Sequence, residues 1–194
     1  MKMKNIAIFA SGTGTNTRNI ITYFKNNSEI NVSVVLSGSK NAGVVQIAKE
    51  AGIPCVITSK DEFNKGKNIA QKLKFFNIDF IVLAGFLWLL PSYLVKKYYN
   101  RIVNIHPALL PKYGGKGMYG NNVHQAVIEA KEKQSGISIH YVNERYDEGN
   151  IIFQSSCPVL PGDTLEDLAA RVHKLEYEHY PKVIERLLIE MDGT

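Results

Sequence analysis

The chain is poor in the residues that most often announce a chemistry. Its 194 residues include only two cysteines, Cys55 and Cys157, and these cannot form a CxxC pair. A ribbon- or finger-type zinc site is therefore excluded, no metal is expected, and free thiols point to a reducing compartment. No stretch approaches the roughly 18 apolar residues needed to cross a bilayer. The first apolar run is short and leads straight into a Gly-rich turn, so neither a signal peptide nor a membrane partner is expected. The net charge is +5, but the lysines are scattered, and no basic run is long enough to act as a nucleic-acid arm. GxSxG and GxxxxGK[ST] are absent, and no later glycine completes GxGxxG after the first strand. Serine hydrolase, P-loop and dinucleotide readings all lack their key residues.

What is present is ordinary globular material, 45% hydrophobic and 21% charged. Its length suits one domain with a substantial core, so residues 1–194 are taken as a single cytoplasmic domain. Apolar runs at 4–10, 31–37, 54–57, 79–84 and 101–105 read as buried strands. Helical spacing appears between them at 15–26, at 42–51 and as one long helix over 60–76. This alternation predicts an α/β fold, a doubly wound and mostly parallel Rossmann-like sheet. Beyond residue 107 the pattern changes. A Gly-rich loop at 113–121 precedes a helix near 122–132. Two β-rich runs, 136–142 and 150–159, suit an antiparallel extension of the sheet, and 164–190 reads as a long terminal helix capped at Thr164.

The most informative segment is Asn104-Ile105-His106-Pro107. Strand residues i and i+2 share a face, so Asn104 and His106 point into one volume where the fifth apolar run ends. An amide donor and an imidazole placed together can stabilise an oxyanion and move its proton. The turn Ser11-Gly12-Thr13-Gly14-Thr15-Asn16 could bring backbone N–H groups to an anion, or could be a tight turn capped by Thr15 or Asn16; both readings stand. Residues 83–91 (LAGFLWLLP) could wall a flat aromatic group, although Phe86, Trp88 and Leu89 as core residues is the stronger reading. Asp147, in Tyr146-Asp147-Glu148-Gly149, could be a turn residue or a carboxylate that orients His106 and raises its pKa. His140 is expected to be structural. His124, His173 and His179 are expected to be surface or capping residues.

In this order, SGTGTN, VLAGF, NIHPALLPKY and DEGNII resemble the folate-dependent formyltransferases over nearly the whole chain, from Ile6 to about Pro181. The resemblance implies transfer of a formyl group from 10-formyltetrahydrofolate to the amine of glycinamide ribonucleotide, without metal or covalent enzyme intermediate. It implies a catalytic set of Asn104, His106 and Asp147, with a protonated His106. It assigns Gly14, Thr15, Asn16 and Glu176 to the phosphate and ribose of the substrate. Leu87, Trp88, Leu89, Leu90, Asn104, Asn143, Glu144, Arg145, Tyr146 and Asp147 fall on the folate side. The N-terminal half would thus bind the phosphorylated substrate and the C-terminal half the folate. Thr15 stands where many members have Ser, and Trp88 where many have Arg. The loop Gly114–Gly120 is longer than in many members, so no site residue is carried into 114–124. Relatives that act on tRNA or hydrolyse formylfolate carry extra domains, which are not expected here. A noncatalytic nucleotide- or folate-binding module is the rival from another class, and the three intact residues weigh against it. A monomer or weak homodimer without nucleic acid is expected.

Overall fold

The computed structural model describes residues 3–191. Met1, Lys2 and residues 192–194, which belong to the expected 1–194 domain, lie outside the described residues. One seven-stranded sheet runs through the molecule in the order β3-β2-β1-β4-β5-β6-β7. The strands are β1 (Lys4–Phe9), β2 (Ile30–Ser37), β3 (Cys55–Ile57), β4 (Phe80–Leu83), β5 (Ile102–His106), β6 (Gln134–Tyr141) and β7 (Ile151–Pro158). The first five pair in parallel, β6 pairs antiparallel with β5 and β7 antiparallel with β6, the antiparallel extension that the sequence predicts.

The helices are α1 (Thr15–Phe24), α2 (Gly43–Glu50), α3 (Lys60–Lys65), α4 (Lys67–Phe75), α5 (Ser92–Lys97), α6 (Asn121–Glu129) and α7 (Leu165–Glu190). Two of them correct the sequence reading. The helix expected over 60–76 is two helices, because Gly66 adopts φ 78° and ends α3 before α4 begins. Tyr93 lies against Gly66, where a Cβ would come within 2.6 Å of its ring, so the break is also a close packing point. Helix α5 was not foreseen, since its six residues are too few to establish a helical period.

Alternation along β1 explains the two-sided core. Ile6 and Ile8 face the layer containing Ile20, Val44, Val123, Leu168 and Val172. Ala7 and Phe9 face the opposite layer, with Phe63, Leu73 and Leu94. The terminal helix starts at a capping box in which Thr164 and Asp167 satisfy each other's backbone donors. Further along α7, the buried Tyr180 hydroxyl lies 2.8 Å from the Leu83 carbonyl and 3.2 Å from that of Val103. One side chain thereby ties the long helix to the C-terminal end of β4 and to the start of β5.

Replacing Tyr180 by Phe deletes that tie while keeping the ring. The expected cost is about 1–2 kcal/mol, read as a lower denaturation midpoint with an unchanged m-value. A midpoint equal to that of the unaltered protein would show that the hydroxyl does not hold the helix.

Candidate active site

Strand order reverses between β1 and β4, and a crevice opens there beyond the C-terminal ends of the parallel strands. It is a cleft of about 670 Å³. Gly12, Thr13 and Asn16 after β1 line it at one end, with His173 and Glu176 of α7. Gly85, Phe86 and Leu87 after β4 line it too, as do Asn104 to Pro107 at the end of β5. The loop from Gly115 to Gly120, Asn121 and His124 of α6, and Tyr146 with Asp147 complete the wall.

Asn104, His106 and Asp147 meet in this cleft. The His106 ring is 3% exposed. Its Nε2 lies 2.7 Å from the Tyr113 carbonyl, to which an Nε2–H donates. Its Nδ1 faces Asp147 Oδ2 at 3.5 Å. That carboxylate oxygen also accepts the Gly115 N–H at 2.9 Å. The other oxygen, Oδ1, lies 3.5 Å from Asn104 Nδ2 and 3.6 Å from His140 Nε2. Asp147 itself has φ 57°, a left-handed conformation that Asp tolerates better than most residues and that aims its side chain inward.

Electrostatics correct one expectation. His106 was expected to be raised by Asp147, yet its pKa lies below the ordinary value. Burial depresses it, and the Asp147 charge and the Tyr113 carbonyl only partly offset that loss. Asp147 is also buried, which alone would raise its pKa. The His140 and His106 rings and the Gly115 N–H outweigh burial and leave it below the usual carboxylate value. The resting pair is a neutral imidazole beside a carboxylate.

At the anchor end, Asn16 Nδ2 donates to Glu176 Oε2 at 2.8 Å, joining two residues that the family resemblance placed together. Burial pushes the Glu176 carboxyl up, against the Asn16 hydrogen bond and the nearby His173. Gly14 and Thr15 do not line the cleft. Gly14 is the left-handed residue before α1, and a Cβ on it would meet the Val44 Cα at 2.8 Å, so glycine is needed for packing α1 against α2. It is also the N-cap, and neither Thr15 nor Asn16 caps the helix.

On the expected folate side, Leu87, Asn104, Tyr146 and Asp147 line the cleft, whereas Trp88, Leu89, Leu90, Asn143, Glu144 and Arg145 do not. Trp88 turns away into an aromatic cluster with Phe63 and Phe86. Leu90 is in the core, and Arg145 pairs with Glu148 at the surface. The core reading thus holds only in part: Trp88 is half-buried against the core and Phe86 is buried but borders the cleft, whereas Leu89, expected in the core, is exposed.

One histidine does more than expected and another lies elsewhere than expected. His140 was expected to be structural, and its Nδ1–H does donate to the backbone carbonyl of the adjacent Tyr141 at 2.8 Å. It is also the cross-strand partner of Asn104, with its Nε2 3.2 Å from the Asn104 amide. The β5–β6 register, which the sequence does not display, was the missing signal. His124 was expected at the surface but is buried in the cleft wall. The 114–124 segment, from which no site residue was drawn, supplies Gly115 and His124. Among the described residues, no three His, Cys, Asp or Glu side chains are grouped to hold a metal ion. No helix among them is long and apolar enough to cross a membrane.

Comparison with known proteins agrees with this geometry. Residues 4–184 match the family model described as formyl transferase. The chain is 42% identical over 196 residues to a chloroplastic phosphoribosylglycinamide formyltransferase of Vigna unguiculata, covering 98% of this chain and 62% of that protein. It therefore spans less than two thirds of that relative's length. It is 35% identical over 188 residues to the phosphoribosylglycinamide formyltransferase of Haemophilus influenzae, covering 94% of this chain and 86% of that one. The crystal structure of phosphoribosylglycinamide formyltransferase from Anaplasma phagocytophilum superposes with a TM-score of 0.88 at 32% identity, over 97% of this chain and 89% of that chain. With the sequence, the sheet order and the cleft in agreement, the chain belongs to the formyl transferase family.

Proposed function

We propose that this protein transfers the formyl group of 10-formyltetrahydrofolate to the primary amine of glycinamide ribonucleotide. The observation that carries the proposal is the meeting of Asn104, His106 and Asp147 at the centre of a cleft that has an anion-suited turn at one end. The names of the relatives support the same acceptor. In this reading the turn at 12–16 and Glu176 hold the phosphoribosyl part, with α1 directing its N-terminus toward the phosphate. Phe86, Leu87 and Tyr146 offer flat apolar surface to the pterin, and a cleft of this volume can hold both substrates end to end. The N-terminal half then binds mainly the acceptor and the C-terminal half mainly the folate. Action in the cytoplasm as a monomer or weak homodimer, without nucleic acid or membrane, belongs to the same reading.

The chemistry follows from the two acceptors around His106. A neutral ring that donates Nε2–H to Tyr113 turns the Nδ1 lone pair toward a carboxylate, an unfavourable contact. Taking the proton of the attacking amine at Nδ1 converts it into an N–H facing Asp147. The site therefore favours the imidazolium when the adduct forms, more than it does at rest. One Asn104 amide N–H stays on His140 Nε2 and fixes the amide, and the other would leave its long 3.5 Å contact with Asp147 to face the developing oxyanion. His106 then returns the proton to the departing folate nitrogen, and no enzyme-bound acyl group is required.

Release of tetrahydrofolate that depends on the added amine tests the reaction. Turnover without acceptor would favour a hydrolase instead, and no turnover in either case would overturn the proposal. His106→Ala and Asp147→Asn are each expected to lower kcat by about 10²–10⁴-fold with unchanged circular dichroism. A near-normal rate in Asp147→Asn would remove Asp147 from the mechanism.

Titration of the His106 ring by NMR tests the resting state. Burial disfavours the charged ring, so protonation is expected to have its midpoint below 6.5. As pH falls through that midpoint the proton acceptor is lost. Asp147→Asn removes a raising charge and should move the midpoint lower still. A midpoint above 6.5 would show that the carboxylate outweighs burial.

A further inference from the structure

His124 is unexplained by the reaction as described so far. It sits on α6 with its side chain in the cleft wall and is 1% exposed. Its Nδ1 is sealed from solvent with no hydrogen-bond partner, and neither ring nitrogen bonds to any of the described residues. A buried donor without an acceptor is costlier than a bare lone pair, so the ring's single proton belongs on Nε2. Nε2 is then the ring's working edge toward the cleft. Burial, helped by the nearby His173 and His106, pushes the ring's pKa down to about 4. At neutral pH the ring is an uncharged N–H donor.

Its neighbours fix where along the cleft this donor stands. His106 is the proton-transfer ring, and His173 lies one helical turn before Glu176, which holds Asn16. His124 is thus between the reacting centre and the anchor end. On the proposed reaction, the stretch of acceptor that spans those points is the amide linking the sugar to the amine-bearing carbon. Its carbonyl oxygen needs a neutral donor.

Resting on that reading of the reaction, we infer that His124 is an acceptor-binding residue whose Nε2–H donates to the amide carbonyl of the amine substrate. It sets how far the amine reaches toward the formyl carbon. The folate has no part in this contact.

The test is steady-state kinetics with both substrates varied, on the full chain. His124→Phe keeps an apolar ring in the wall and removes the donor. It should raise KM for the amine substrate about tenfold, the worth of one neutral hydrogen bond, while KM for folate stays within about twofold. His124→Gln carries an amide N–H at a similar reach and should recover part of the loss. A merely structural histidine would change the melting temperature in both variants and leave the two KM values in step. Acceptor KM equal to that of the unaltered protein in His124→Phe overturns the assignment. Should that variant fail to fold, the Nε2–H resonance of the unaltered protein decides: it should shift when glycinamide ribonucleotide alone is added, and no shift overturns the assignment. Absence of turnover in the unaltered protein would strike the reaction itself, so the two failures are told apart.

Discussion

The Asp147 carboxylate gathers groups from three separate parts of the chain around one buried charge. It faces His106 and Asn104 of β5, His140 of β6 and the backbone N–H of Gly115. A carboxylate placed in such surroundings without donors would be protonated or expelled. Every neighbour here offers a donor or a proton site, so the charge survives burial. The same charge determines what His106 can do. It cannot make the resting ring cationic against desolvation, but it makes the ring a better home for a proton that chemistry delivers. Catalytic residue, orienting residue and loop are therefore not separable contributions, and deletions among them will not add.

The supporting architecture is less delicate. Alternation along β1 assigns Ile6 and Ile8 to one layer and Ala7 and Phe9 to the other, and such packing tolerates much substitution. The antiparallel addition of β6 is different, because its register decides which side chains border Asn104. A slip by one residue would turn His140 to the opposite face of the sheet.

How much of this was legible in the sequence depended on the range of the interaction. Asn104 and His106 were readable because the strand period is local, and the end of β5 was marked by Pro107. The break at Gly66 was readable in principle, yet the apolar spacing on both sides, through Phe63, Ile69 and Leu73, carries a helical rhythm across it. Whether that glycine bends the chain depends on Tyr93, which is far along the sequence. His124 was misjudged, and the contact of the structural His140 with Asn104 was missed, for the same reason. A histidine on a strand or helix has no local mark of what lies opposite it, and only strand pairing or helix docking supplies that. Trp88 shows the reverse case. Its neighbours Phe86 and Leu87 reach the cleft, while its own ring is claimed by Phe63.

The hydrogen bond between Asn16 and Glu176 closes the molecule over a separation of 160 residues. A ribosome delivers these two partners far apart in time. The Gly-rich turn, β1 and α1 are among the first parts to emerge, while Glu176 follows only after every strand of the sheet has been made. A nascent chain can therefore fold much of the sheet and even present the anion-suited turn while the anchor end still lacks its carboxylate. Substrate capture becomes a property of the finished chain, because the last helix must dock across the first before both halves of that grip exist.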